Sequence, residues 1–124
     1  MPSENGATLT VVDTKTLNVV KTIDLGKGMR PMGTAVTPDG KSVFVTTGRS
    51  RMLLIIDPAT NTVAGSIDAG QGPWGLAVST DGQTVYTANG PSNDVSIIDV
   101  AGRRVVKTVP VGSGPWGAIL VDLR

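Results

Sequence analysis

The side chains able to do chemistry in this sequence are few and restricted in kind. There is no histidine and no cysteine among the 124 residues. That removes the commonest general base and metal ligand, every thiolate nucleophile and every disulfide. What remains is acids, arginines, two tryptophans and some glycine-rich strings. Asp13, Asp57 and Asp99 each follow a Val/Ile run at regular spacing. Acids that far apart in equivalent positions form no carboxylate pair, and an Asp ending a strand accepts hydrogen bonds from turn amides. No acid pair and no Ser/Lys pair shows a spacing that demands catalysis. The reading is therefore not an enzyme, with no metal and no cofactor expected.

Two strings imitate phosphate-binding loops. Gly70-Gln71-Gly72-Pro73-Trp74-Gly75 and Gly112 through Gly117 fit GxGxxG. A dinucleotide site needs a strand before the string and a helix after it. Here a strand pattern follows and no helical period appears, so both read as glycine-rich connections. Gly40-Lys41-Ser42 resembles the end of a P-loop, but Ala35 stands where the first glycine is required. Gly40 and its counterpart Gly82 read instead as glycines closing hairpin turns.

The candidate ligand-binding residues are Trp74, Trp116, Arg30, Arg49 and Arg51. The tryptophans occupy equivalent positions, where the rings either line a ligand mouth or wedge between packed sheets. The arginines depart from the internal repeat described next. Packing does not account for them, and loops on a rigid scaffold often carry binding.

These residues are positioned by a repeat. Pro31-Met32-Gly33 recurs as Pro73-Trp74-Gly75 and as Pro115-Trp116-Gly117, in steps of 42. Residues 31–72 align with 73–114 without gaps, with 16 of 42 positions identical. Residues 7–30 form a partial earlier copy at a step of 44, because Met29-Arg30 is inserted before Pro31. Residues 115–124 begin a further copy.

Within a repeat, four strands are predicted. The first spans 34–37, 75–79 and 117–121. The second, at 42–47 and 84–88, follows the hairpins Thr37-Pro38-Asp39-Gly40-Lys41 and Ser79-Thr80-Asp81-Gly82-Gln83. The third spans 8–13, 52–57 and 94–99, and the fourth 18–24, 62–68 and 104–110. Met52-Leu53-Leu54-Ile55-Ile56 is apolar on both faces, as a strand sandwiched between sheets is. Four strands in about 42 residues is the period of a β-propeller blade. The fold class is thus all-β, an incomplete β-propeller of four-stranded antiparallel meanders, in a single partial domain over 1–124. The chain begins at a third strand and ends in a first, with two strands at 7–30, full blades at 31–72 and 73–114, and the first strand of a further blade at 115–124.

The pattern P-[MW]-G-x-A-V-x-x-D-G-x-x-V-[FY], followed by I-I-D, resembles the YVTN-type β-propeller repeat. The signature tetrad stands as Phe44-Val45-Thr46-Thr47 and Tyr86-Thr87-Ala88-Asn89, and only Asn89 keeps the final Asn. The resemblance runs from about residue 7 to 121. It implies a propeller of surface-layer-like or periplasmic setting, and it transfers no catalytic residue. Related propellers accompany quinoprotein and haem enzymes. The expected function is therefore a non-catalytic scaffold for protein or ligand binding, a fragment of a longer exported propeller protein. The alternative is a segment of a propeller oxidoreductase or its accessory, quinone- or haem-associated, whose active groups lie outside this chain.

Net charge is +1, with 11 basic and 10 acidic residues. No field of one sign steers nucleic acid to the chain. No segment has the roughly 18 apolar residues of a membrane span, and the N-terminal residues lack a signal-peptide pattern. A periplasmic or cell-surface setting is therefore expected only from the family resemblance, with Met1 heading a mature or trimmed form. Fewer than four blades leaves apolar blade faces uncovered. The expected partners are the missing blades of a parent chain, another protein, or a second copy in a homodimer that closes a ring.

Overall fold

A computed structural model describes residues 1–121. The strands are β1 (Pro2–Ser3), β2 (Thr8–Val12), β3 (Val19–Asp24), β4 (Pro31–Val36), β5 (Val43–Thr47), β6 (Met52–Asp57), β7 (Thr62–Asp68), β8 (Pro73–Val78), β9 (Thr84–Asn89), β10 (Asp94–Asp99) and β11 (Arg104–Pro110). A short 3-10 turn at Gly90–Ser92 joins β9 to β10. They form three antiparallel sheets in sequence order: β1-β2-β3, β4-β5-β6-β7 and β8-β9-β10-β11. The meander follows from the turns. At both hairpins the Gly40 and Gly82 amides bond back to the Thr37 and Ser79 carbonyls, with the glycines at φ +72° and +74°. That region of φ costs a glycine nothing.

The sheets stack face to face, and the middle one is covered on both sides. Alternate residues of β6 serve the two joints. Leu53 and Ile55 join Phe44 and Ile67 against Val85 and Ile98 of the third sheet. Leu54 and Ile56 join Val45 against Leu9, Ile23 and Leu25 of the first sheet. This is the physical meaning of the unbroken apolar run at 52–56: with a side-chain period of two, burying both faces requires every position to be apolar.

The inner strands β4 and β8 lie side by side. A Cβ on Gly75 would stand 2.5 Å from the Trp116 carbonyl oxygen and the Gly117 Cα, both backbone atoms. A Cβ on Gly33 would likewise stand 3.0 Å from the Trp74 carbonyl oxygen of β8, so the glycine of the recurring Pro-x-Gly is needed where one inner segment passes close to the next. The Thr46 hydroxyl ties this region across the joint: it accepts from the Gly33 amide at 2.9 Å and donates to the Trp74 carbonyl.

Three expectations are corrected. Residues 117–121 form no strand: a strand is made by its ladder, and no strand pairs with them among the described residues. Residues 122–124 lie outside the described residues. The first sheet begins one strand earlier than expected, because Pro2–Ser3 pairs with Leu9 and Thr8. Finally, β4 and β8 start at Pro31 and Pro73, upstream of the expected 34 and 75, since each proline lies at a strand end where its missing N–H is tolerated.

Candidate functional site

Every connection from an outer strand to the next inner strand, and every connection from second to third strand, falls at one end of the stack. The hairpins and the Asp-capped turns lie at the other. At that other end Asp13 Oδ1 accepts from the Lys15 and Thr16 amides at 2.8 and 3.2 Å. Asp57 Oδ1 accepts from the Ala59 amide at 2.8 Å, and Asp99 Oδ2 from the Gly102 amide at 3.1 Å. These carboxylates are occupied with turn amides, one in each sheet. Asp39 and Asp81 do the same work in the hairpins. The Thr37 hydroxyl, and next the Lys41 amide, hold the Asp39 carboxyl below its ordinary 3.8; the Ser79 hydroxyl and the Gln83 amide do so for Asp81. A carboxylate that accepts donors is favoured in its charged form.

The first end is chemically different. A cleft of about 340 Å³ is lined there by Arg30, Arg49, Trp74 and Trp116, with Glu4 and Met32. These residues come from four separate connections and the starts of two strands, β4 and β8. Trp74 begins β8, and its ring is wedged between two glycines. A Cβ on Gly90 would stand 2.0 Å from the ring and one on Gly48 3.4 Å from Cδ1, so the absence of side chains there makes the seat. Trp116 leans on Trp74 with ring centroids 4.6 Å apart and planes at 38°. Trp116 remains 69% exposed. Trp74 is thus half-buried packing, and Trp116 offers an aromatic surface to the cleft.

Arg30 sits in the two-residue insertion and pairs with Glu4 at 3.1 Å. Arg49 is exposed and makes no ion pair or side-chain hydrogen bond among the described residues. Arg51 does not line this cleft. It lies in an adjoining one with Arg49, Gln71 and Pro91, and reaches Asp68 at 3.5 Å. The structure therefore brings four of the five candidate residues into one cleft and puts the fifth next to it. The sequence reasoning missed Glu4 and Gly90. Glu4 carries no local signal; only the pairing of β1 aligns it with Gly48 and Gly90. Gly90 could have been found, because it recurs from Gly48 at the 42-residue step.

Chemically, the cleft can hold an anionic or planar group against an indole face. It has no nucleophile-and-base pair. Among the described residues no group of three acidic side chains stands together to hold a metal. The glycine strings are connections: Gly70 and Gly72 have φ of +102° and +61° and lead into strand β8, with no helix terminus behind them.

Sheets of this kind, stacked with shared inner-strand contacts, define the class: the chain is a partial β-propeller. Among solved structures it is similar to hydrazine synthase of Kuenenia stuttgartiensis, with 27% identity and a TM-score of 0.85 over 92% of this chain and 33% of that one. It is also similar to AztD of Citrobacter koseri, with 17% identity and a TM-score of 0.74 over 90% of this chain and 32% of that one. The apo form of AztD gives 18% identity and a TM-score of 0.73. The chain thus spans about a third of the length of the structures it matches. No protein-family model and no curated protein sequence matches it. Among the described residues no helix is long and apolar enough to cross a membrane.

Proposed function

We propose that this chain is a non-catalytic propeller scaffold whose Trp116–Arg49–Arg30 cleft binds a ligand or a loop of a protein partner. The supporting observation is convergence. Repeat-breaking arginines and both tryptophans, spread from position 30 to 116, line one cleft at one end of the stack. Blade packing requires none of the arginines. The lack of histidine and cysteine, and the occupation of the aspartates by turn amides, support a binding role over catalysis. On the repeat, the chain is read as a YVTN-type propeller piece, with a partial blade at 7–30, blades at 31–72 and 73–114, and at 115–124 the sequence that opens a further copy. By the same resemblance it belongs to a longer exported protein of the periplasm or cell surface.

The test uses the only two tryptophans as reporters. A panel of flat aromatic carboxylates and short acidic peptides is titrated against the chain while indole fluorescence is followed. A saturable change that Arg49→Ala and Trp116→Ala both abolish is expected. Binding that survives both substitutions would place the ligand elsewhere and overturn the reading.

A second reading is favoured by one observation, the 27% identity to hydrazine synthase over nearly the whole chain. It makes the chain a segment of a propeller oxidoreductase or its accessory, with the active groups outside it. Absorption beyond the tryptophan band in protein purified from its native host would support that reading. A flat spectrum there would remove it for this chain.

A further inference from the structure

The cleft does not end at Arg49. The adjoining one, of about 300 Å³, shares Gly48, Arg49 and Pro91 with it and continues past Gly72 to Arg51 and Gln71. The two make one groove across the joint between the second and third sheets. Its middle is backbone. A Cβ on Gly72 would stand 2.5 Å from the Pro91 ring and 3.4 Å from the Gly48 carbonyl oxygen, and one on Gly48 3.2 Å from Met32. These glycines let the connections of the two sheets approach and leave no side chain standing between the two halves.

The two sides of the groove differ in charge. Arg30, Arg49 and Arg51 belong to the connections of the second sheet. At the same repeat positions the third sheet has Gly72, Pro91 and Asn93. One side is therefore basic, and the other, with Trp74 and Pro91, is neutral and largely apolar. Turn geometry does not call for Arg51. Its backbone stands at φ +64° where Asn93 stands at +57°, and left-handed backbone suits asparagine better than arginine. Arg30 meets Glu4 at 3.1 Å and Arg51 meets Asp68 at 3.5 Å. Such exposed pairs are weak and exchange readily for another carboxylate. Arg49, between them, has no ion pair among the described residues.

Resting on the binding role given to the cleft above, we propose that the groove takes an extended peptide segment of a partner protein, in which acidic residues alternate with aromatic or apolar ones. In an extended chain successive side chains point to opposite sides. The acidic set meets Arg49 and Arg51, whose planar forks match carboxylates. The other set lies along Trp74 and Pro91. The Gln71 amide, exposed at the far end, offers a donor and an acceptor to the peptide backbone. A small aromatic acid fills only the tryptophan half and leaves Arg51 and Gln71 unused. A nucleic-acid strand fits less well. Glu4 and Asp68 stand beside two of the arginines and repel a continuous run of phosphates, and a net charge of +1 supplies no attracting field.

The experiment is titration calorimetry of the full chain with three probes. They are 2-naphthoate, a capped hexapeptide alternating glutamate with tyrosine, and an isomer of that peptide with its glutamates in one block. The two peptides share composition and charge, so only the alternation separates them. The alternating peptide should bind at least about fivefold more tightly than the block isomer, and Arg51→Asn should remove most of that preference. Asparagine is the repeat residue at this turn, so the variant keeps the wild-type circular dichroism spectrum. Equal affinities for the two isomers overturn the proposal, as does a preference that Arg51→Asn leaves intact. If 2-naphthoate still binds in either case, the cleft itself stands as a binding site. If none of the three probes binds, the cleft reading fails and the proposal falls with it.

Discussion

Replacing Phe44 by alanine probes the joint on which the stack depends. The ring is 0% exposed and sits between the second and third sheets with Leu53, Ile55 and Val85. An aromatic of this kind buries about 150–250 Å². At about 25 cal/mol per Å², that amounts to roughly 4–6 kcal/mol as an upper figure. Measured Phe→Ala costs in cores run to about 3–5 kcal/mol, with the cavity included. A loss of about 4 kcal/mol is therefore expected, against a domain stability of the order of 5–15 kcal/mol. The assay is urea unfolding followed by the fluorescence of Trp74 and Trp116, comparing midpoints at constant slope. Tyr86→Ala supplies the contrast. It changes the same repeat position on the uncovered face of the third sheet, where Tyr86 is only half-buried. At concentrations low enough to keep the chain single, it costs less than half as much. A Phe44→Ala loss below about 1 kcal/mol, or equal losses at the two sites, would refute the two-sided burial of the middle sheet.

Two further outcomes follow from local geometry. Asp39 and Asp81 have folded pKa values below the ordinary 3.8, so the stability they contribute is present above that value and is lost as pH falls through their folded values. Thermal melting between about pH 5 and pH 2 should show a shallower acid loss for the double variant Thr37→Val, Ser79→Ala than for the wild type; parallel curves would show that the hydroxyls do not set the carboxyls. Leu17 adopts φ +60° in an exposed turn where the equivalent Asn61 has φ +54°. Left-handed backbone costs leucine more than asparagine, so Leu17→Asn should raise stability by about 0.5–1 kcal/mol in the same urea assay, and a loss would contradict the turn geometry.

The strands were legible because their signals are local and repeated. Asp-Gly hairpins, Val/Ile runs and a constant step each define a blade without tertiary knowledge. The both-faced burial of β6 was legible in the run at 52–56. What was not legible is what depends on partners far away in the chain. β1 is two residues long, and nothing in Pro2–Ser3 marks a strand; it exists because β2 offers an edge. Residues 117–121 carry strand sequence yet make none, because sequence pattern cannot supply a ladder. At the cleft, departure from the repeat was enough to name Arg30, Arg49 and Arg51 one by one. It could not say that Arg51 would turn toward Asp68, or that Glu4 would meet Arg30 across 26 positions. Nor could it separate the two tryptophans, whose sequence environments match. Gly90 seats one ring, and the other leans on it from the solvent side.

The central claim is that the tryptophan pair and the arginines share one cleft. Collisional quenching tests it most directly, because Trp74 and Trp116 are the only indoles and an excess of nearby guanidinium raises the local concentration of anions. At matched ionic strength, iodide should quench the fluorescence more strongly than caesium, and Arg49→Ala should reduce the difference without changing quenching by neutral acrylamide. Equal quenching by the two ions, or a difference that Arg49→Ala leaves untouched, would mean that the arginines do not surround the indoles and that the cleft is not the site described.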